Sequence, residues 1–146
     1  MDKSARSVLH SLEVLNRLGR ETAEASVFVV QQRLGLMGQA DASEMGRMGP
    51  EKVEAAAASA VAGCLSAYDV AATAAGMTKR QIDNAVDQLG KASSVHDANQ
   101  WLGEAMSRSV TDGLVLWNQM LTGQVAMLRP IHDKATENAR RLGQRD

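Results

Sequence analysis

The sequence predicts an all-α protein, built as an elongated helical bundle or a coiled-coil-like arrangement of long amphipathic helices. Apolar residues recur every three or four positions over long stretches, alanine is abundant, and runs of alternating β-branched residues are missing. A chain of 146 residues fits one core, since single cores are typically built from about 100 to 150 residues. We therefore expect residues 1–146 to form a single helical domain.

The first predicted helix covers Ser4 to Met37. Its apolar stripe has helical spacing and consists of Val8, Leu12, Leu15, Leu18, Thr22, Ala25, Val29 and Leu36. At about 1.5 Å per residue, this helix would be on the order of 50 Å long. Such a length favours an elongated molecule.

A glycine-rich and proline-containing stretch, GQADASEMGRMGPE, predicts a break after the first helix. A single helical turn could form inside it, from Ser43 to Arg47. Pro50 is expected to be the first residue of the second helix, because the amide proton that proline lacks has no intrahelical partner there. Glu51 would then complement the positive end of the helix dipole.

The second predicted helix is rich in alanine and carries small residues nearly all round, which is typical of a central packing element. Gly76 is expected to end it. The sequence TKRQ, Thr78 to Gln81, is a capping-box pattern that would start another helix.

A long amphipathic helix is predicted after Ser94, because large apolar residues again follow helical spacing. They are Trp101 or Leu102, Met106, Val110, Leu114, Trp117, Leu121, Val125 and Leu128. Pro130 is expected to kink or interrupt it, and a final helix to follow.

Charge and composition argue against nucleic acid and membrane-spanning roles. The chain has 16 basic and 17 acidic residues, and its net charge of -1 gives no general attraction for polyanions. The basic residues near the end are mixed with acidic ones and have no interleaved aromatic side chains for base stacking. They are Arg129, Lys134, Arg140, Arg141 and Arg145. We therefore do not favour a nucleic-acid partner, and local binding through the arginine tail stays a third alternative.

No stretch reads as roughly 18 or more uncharged apolar residues, so we expect no transmembrane segment. The charged N-terminal stretch also lacks the apolar core of a signal peptide. The single cysteine suits a reducing cytoplasm.

No arrangement of residues predicts catalysis, a metal site or a cofactor. His10, His96 and His132 have no metal-ligand spacing and are expected to be solvated. Asp83 and Asp87 share a helical face, but Lys79 and Lys91 lie four residues away, which predicts an exposed salt-bridged row. Cys64 has no nearby cation to lower its pKa and is expected to be a small buried residue. We therefore expect a protein that is not an enzyme.

The function that remains is binding to a protein partner or to a surface. Aromatic residues make up only 3% of the chain, which predicts a thin core. A long apolar stripe can be buried against its own bundle, a second copy or a hydrophobic interface. The methionines could adapt to an irregular apolar surface; those considered are Met45, Met48, Met106, Met120 and Met127.

Two stretches resemble bacterial phasins. SEMGRMGPEKVEAAAAS, Ser43 to Ser59, is similar to a phasin segment in which a glutamate and an Arg-Met pair precede Glu-Lys and an alanine-rich helix. LRPIHDKATENARRLGQR, Leu128 to Arg145, resembles the family's ending, where a proline opens a helix that closes with Asn-Ala-Arg-Arg-Leu. The stretch VVQQRLGLMGQA fits the family's first long helix.

The resemblance implies a non-enzymatic, all-helical protein that coats intracellular polyhydroxyalkanoate granules in the cytoplasm and forms homo-oligomers. Apolar helix faces would cover the polyester, and charged faces would keep the granules dispersed. The residues expected to form this surface or an oligomer face are Val8, Leu12, Leu15, Leu18, Val29, Leu36, Leu114, Trp117, Leu121 and Leu128. The alternative is a helical adaptor or regulatory protein that binds a protein partner through the same stripe.

Overall fold

The computed structural model describes residues 3–36, 42–91 and 94–143. Within these residues the chain forms three α-helices and no strand: α1 (Lys3–Leu36), α2 (Ala42–Lys91) and α3 (Val95–Gly143). The prediction of an all-α helical bundle is confirmed. Met37, the expected end of the first helix, lies outside the described residues.

The helices α2 and α3 form a long antiparallel hairpin. Residue numbers that rise along α2 meet numbers that fall along α3: Gly63 lies against Met127, and Ser66 lies against Gly123. At about 1.5 Å per residue, a helix of 50 residues such as α2 extends roughly 75 Å.

The helix α1 packs parallel to α3 and covers only its C-terminal half. Ser11 Oγ donates a 2.8 Å hydrogen bond to Asn118 Oδ1 near the start of the contact. Near its end, the Phe28 ring lies against Gly143. The part of the hairpin beyond α1, residues 78–91 and 94–110, therefore consists of two helices only, and we refer to it as the arm.

The helices α1 and α2 lie on opposite sides of α3. The α3 residues that meet α1 and those that meet α2 are about half a turn apart, at about 100° per residue. Both outer helices pack on α3, while among the described residues their backbones do not pack on each other. The molecule is thus an open layer with α3 in the middle.

The open layer has a large surface and a thin core. Its accessible surface is 10073 Å², whereas a compact protein of this mass exposes about 7,200 Å². The buried apolar side chains lie along the two contacts with α3; they are Val8, Leu18, Val29, Ala55, Met77, Leu121 and Leu142. The predicted elongation and thin core follow from this arrangement.

The expected helix start at Pro50 is wrong. Helix α2 begins at Ala42, so the expected isolated turn from Ser43 to Arg47 and the residues up to Pro50 belong to one continuous helix. The first residues of the expected break, up to position 41, lie outside the described residues. Pro50 removes an amide donor for the carbonyl of Gly46. Gly46 is exposed, so water can bond that carbonyl.

The expected break at Gly76 is also wrong, because α2 continues to Lys91. The Thr78 hydroxyl donates a 3.0 Å hydrogen bond backwards to the carbonyl of Ala74. This bond within the helix replaces the forward bond that a cap would make. Met77 is buried against the hairpin partner and holds the segment in place.

Pro130 does not interrupt α3, which runs to Gly143. A proline inside a helix costs about 3 kcal/mol. Contacts on both sides of Pro130 offset this cost: Met127 packs on Gly63, and His132 contacts Glu21 of α1. The helix continues because its neighbours fix it on either side.

Candidate interaction surface

The layer leaves two broad sides of α3 uncovered, and one of them carries no charge. The α3 positions on this side recur every three or four residues, and all are exposed. They are Leu102, Met106, Ser109, Gly113, Trp117, Met120, Gln124, Met127 and Ile131. We refer to this face, together with its continuation on the neighbouring helices, as the uncharged side.

Both outer helices continue the uncharged side with small and apolar residues. Helix α2 contributes Val53, Ala56, Ala60, Ala67 and Ala71, with the exposed Lys52 at the end of this set, and helix α1 contributes Leu12, Ala23 and Val30. All of these are exposed. The contact between Gly63 and Met127 connects the α2 and α3 parts of this surface.

The opposite side of the layer is charged, and we refer to it as the charged side. Its exposed charged residues on α1 and α3 are Arg6, Glu13, Arg17, Glu24, Glu104, Arg108, Arg129, Asp133 and Arg140. Both signs are interspersed along each helix, which keeps a protein surface hydrated without a strong field of one sign. The layer as a whole is therefore amphipathic.

The outer edge of α2 is also apolar. Val61, Leu65 and Tyr68 are each more than half exposed there, and Cys64 is exposed between them. The expectation of a buried Cys64 is wrong. It failed because α1 packs on α3 and leaves the outer edge of α2 uncovered.

Segment Gly49–Gln88 of α2 is long and apolar enough to cross a membrane by length and composition, with a window of mean hydropathy 1.3. The sequence expectation overlooked it because most of its apolar residues are alanines. Only 11% of that window is buried, so its apolar side chains face outward instead of filling a core. Length and composition alone do not make a membrane span.

The residues expected to form the binding face divide between the core and the surface. Val8, Leu18, Val29 and Leu121 are buried, and Leu15, Leu114 and Leu128 are half-buried. Leu12 and Trp117 are exposed on the uncharged side, Trp117 to 52%. The side chain of Leu36 lies outside those that the structure describes.

Sequence reasoning treated the apolar residues of α3 as one stripe, whereas the structure separates two. Leu121 belongs to the stripe beneath α1, while Met120, Met127 and Ile131 belong to the uncharged side. The sequence does contain a pattern that marks the second stripe, a run of uncharged residues with helical spacing from Leu102 to Ile131. This run includes Ser109, Gly113 and Gln124, which are not large apolar residues and therefore do not stand out as part of a stripe.

Ion pairs connect the three helices at the end remote from the arm. Glu51 lies 3.2 Å from Arg141 of α3 and 3.8 Å from Arg33 of α1. Glu54 lies 3.2 Å from Lys134 Nζ. Hydrogen bonds with Glu54 and then Glu137 raise the pKa of Lys134 above its ordinary value of 10.5. Lys134 and Arg141, two of the basic residues near the chain end, therefore help to hold the helices together.

Asp83, Asp87 and His132, which were considered for catalysis, are engaged in structural contacts, whereas His10 and His96 are exposed as expected. Lys79 pairs with Asp83 and Lys91 with Asp87, as predicted. His132 is not solvated as expected: its ring lies 3.0 Å from Glu21 of α1 and 3.1 Å from Asp133. Among the described residues, no group of three or more His, Cys, Asp or Glu side chains could hold a metal ion.

A shallow groove of about 370 Å³ lies between the two helices of the arm, and Ser109 of the uncharged side lines it together with charged residues. Arg80, Trp101 and Arg108 are among its lining residues. Arg108 pairs with Glu104 of its own helix, and Gln81 is 3.5 Å from Asp112 across the groove. Arg108 is thus engaged by its own helix, and the Gln81 side chain donates a hydrogen bond to Asp112 of the facing helix.

No family model matches the chain, and no curated protein and no solved structure matches it either.

Proposed function

We propose that the protein is a phasin-like, non-enzymatic coat of polyhydroxyalkanoate granules in the cytoplasm, with the uncharged side of the layer lying on the polyester. The single observation that carries this proposal is the division of the layer into an uncharged and a charged side. The resemblance of Ser43 to Ser59 and of Leu128 to Arg145 to phasins supports the choice of polyester over other apolar surfaces.

The size of the uncharged side suits adsorption to an extended surface. With about 1.5 Å rise per residue and helices about 9 Å apart, it covers on the order of 1,000 Å². Burying apolar area contributes about 25 cal/mol per Å², so even partial contact offsets the cost of immobilising the protein. No pocket is required, which agrees with a surface of alanine, methionine and valine.

The charged side gives the coat its second property. Arg129, Asp133 and Arg140 would face water when the uncharged side is covered, because they lie across α3 from Met127 and Ile131. Coated granules would then present hydrated, mixed charges to one another. Dispersal of granules follows from the same geometry as adsorption.

A pair of matched double variants tests the proposal. Trp117→Glu with Met120→Glu adds two charges to the uncharged side, and Thr122→Glu with Ala126→Glu adds two charges to the charged side of the same helix. Wild type and the second variant should adsorb to polyhydroxyalkanoate particles, while the first should lose at least about tenfold in affinity, or 1.4 kcal/mol. Equal retention of all three proteins on the particles would contradict the assignment of the uncharged side as the adsorbing surface.

Leu114 is a poor position for this test. It is half-buried under α1, so a charge there would disturb the α1–α3 contact as well as any adsorption. Trp117 avoids that ambiguity because it is exposed. Circular dichroism of each variant establishes that the helices are intact before adsorption is compared.

The same variants separate a coat protein from the adaptor alternative. A pull-down from cells that make no polyester should yield no stoichiometric protein partner if the protein is a granule coat. A partner that is captured by wild type and by the Thr122→Glu, Ala126→Glu control, but not by the Trp117→Glu, Met120→Glu variant, would favour the adaptor.

A further inference from the structure

The groove between the helices of the arm combines a half-buried aromatic side chain with unused hydrogen-bond donors. Its volume of about 370 Å³ lies within the range of about 300–1,000 Å³ that is typical of small-molecule sites. Trp101 and Ala105, four residues apart on α3, form the half-buried apolar part of its wall. A groove of this size and composition can hold a small molecule that has both an apolar and a polar part.

Arg80, in the opposite wall of the groove, is a cation without a carboxylate partner. Among the described residues of the arm, the other lysines and arginines each form an ion pair within their own helix; they are Lys79, Lys91 and Arg108. Arg80 forms no ion pair and no hydrogen bond with any described residue. A guanidinium carries five N–H donors in a planar fork that matches a carboxylate. Arg80 therefore offers the groove a positive charge and a set of unused donors.

The other polar groups of the groove also leave donors unused. Within the described residues, the indole N–H of Trp101 has no acceptor, and Arg108 uses only part of its guanidinium on Glu104. The acceptor Asp112 already receives a long hydrogen bond of 3.5 Å from Gln81. Because the unused groups are mainly donors, the groove suits a ligand whose polar part consists of acceptor oxygens.

Asp112 limits the charge that such a ligand can carry. Its half-buried carboxylate lines the same groove, and it repels a second negative charge nearby. A carboxylate carries one negative charge, whereas a phosphate monoester carries about 1.5–2 at pH 7. The groove therefore favours a single carboxylate over a phosphate.

We propose that the groove binds a small monocarboxylate with an apolar body, whose carboxylate is held by Arg80 and whose body lies against Trp101 and Ala105. The site stands on the groove alone and does not rest on the proposed function. Two sources can supply this chemistry: a free alkyl acid, and the carboxylate end of a short hydroxyalkanoate chain. Binding measurements with each of them decide between the two sources.

Trp101 provides a direct reporter of occupancy. The chain has two tryptophans, so in the Trp117→Phe variant Trp101 is the only one. Octanoate should change its emission in a saturable way, with a Kd of about 1 mM or below. Octanamide keeps the apolar body but lacks the charge, and octyl phosphate carries too much charge. Both should bind at least about tenfold more weakly than octanoate.

Two substitutions on α2, made in the Trp117→Phe background, separate a specific contact from a general effect of charge. Arg80→Gln removes the unpaired guanidinium and should weaken octanoate binding at least about tenfold. Lys79→Gln removes the same charge from the adjacent residue, which pairs with Asp83 and does not line the groove. This control should bind octanoate as the parent does. Both side chains are exposed, so circular dichroism should show unchanged helices.

Three results would overturn the inference. The first is the absence of a saturable change in emission up to about 10 mM octanoate, a concentration well above the expected Kd. The second is an equal affinity of the Arg80→Gln and Lys79→Gln variants for octanoate. The third is binding of octanamide or octyl phosphate that is as tight as that of octanoate, since the groove would then not recognise a single carboxylate.

A short hydroxyalkanoate oligomer with a free carboxylate distinguishes the two sources of ligand. Tighter binding of the oligomer than of octanoate identifies a chain end, and the reverse identifies a free acid. Adsorption to polyester particles is a separate property, because Trp117 and Met120 lie outside the groove. The Trp117→Glu, Met120→Glu variant should keep octanoate binding, and Arg80→Gln should adsorb as wild type does. The failure of one proposal therefore leaves the other unaffected.

Discussion

The three-helix part of the layer and the arm share one pair of helices but are held together in different ways. In the three-helix part, buried side chains and ion pairs join one helix to another, as between Glu51 and Arg141. In the arm, none of the described side chains is buried. The ion pairs Lys79–Asp83, Lys91–Asp87 and Arg108–Glu104, which lie in the arm, each link residues four apart on a single helix.

This difference shows that a continuous helix need not be a uniformly stable one. Pairs four residues apart stabilise a helix by about 0.2–0.5 kcal/mol each, but they do not hold two helices together. The arm therefore keeps its helical form although none of its described side chains is buried. Substitutions of the same kind should have large effects in the three-helix part and small effects in the arm.

The largest contrast is expected from removal of a leucine side chain. Leu121 is 4% exposed between α1 and α3, so Leu121→Ala should destabilise the fold by about 2–5 kcal/mol through lost burial and a cavity. Leu102 in the arm is 51% exposed, and Leu102→Ala should change the stability by about 0.5 kcal/mol or less. Urea denaturation followed by circular dichroism measures the stability of both variants. Similar unfolding midpoints for Leu121→Ala and Leu102→Ala would contradict the difference between the two regions.

Two glycines of α3 should respond to alanine with opposite signs. A Cβ at Gly123 would lie 2.7 Å from Ser66 Cβ, so Gly123→Ala should separate the hairpin helices and cost about 1–3 kcal/mol. A Cβ at Gly113 meets nothing within 4 Å, so Gly113→Ala should add about 0.5–1 kcal/mol of helix propensity. Thermal unfolding of both variants checks the signs; stabilisation by Gly123→Ala would mean that the two helices are less closely packed.

Removing a carboxylate charge should also lower the stability of the fold by different amounts in the two regions. The Glu51 side chain is 18% exposed and serves two arginines, so Glu51→Gln should cost about 1–3 kcal/mol. Glu104 forms an exposed pair within one helix, and Glu104→Gln should cost about 0.2–0.5 kcal/mol. Equal losses in a denaturant series would show that the ion pairs of the three-helix part do not join the helices energetically.

The smallest expected effect is a dependence on alkaline pH that belongs to the three-helix part. The pKa of Lys134 is raised in the folded protein, so the stabilisation from its protonated form is complete below 10.5 and is lost as pH rises through the raised value. Lys134→Met should abolish this part of the pH dependence. Unfolding midpoints between about pH 9 and pH 11.5 test it, and an unchanged slope in the variant would contradict the assignment.

The helical class was predictable from sequence because it depends on local spacing. The salt-bridged row of Lys79, Asp83, Asp87 and Lys91 is confirmed for the same reason. The positions of the breaks were not predictable. Pro50, Gly76 and Pro130 are local stop signals, yet a helix continues through each of them. At Gly76 and Pro130 it does so because contacts with a neighbouring helix hold the segment in place.

The candidate surface was only partly predictable, because exposure depends on which helix covers which. Leu114, Trp117 and Leu121 have the same helical spacing, but α1 covers Leu121 and leaves Trp117 exposed. The spacing alone does not predict this difference. The exposure of Cys64 has the same origin. The role of Glu51 also changed, from a residue expected at a helix dipole to one that joins three helices.

The parallel packing of α1 on α3 has a consequence for the order of folding. Ser11 and Asn118 are separated by 107 residues, whereas α2 ends and α3 begins within a few residues of each other. Closing the longer loop costs more chain entropy, so the hairpin should assemble first and α1 should attach last. Pulsed hydrogen exchange should find the amides of the hairpin protected before those of α1, and the opposite order would refute this sequence of events. The protein would then pass through a state in which the whole apolar stripe of α3 is briefly open to a partner.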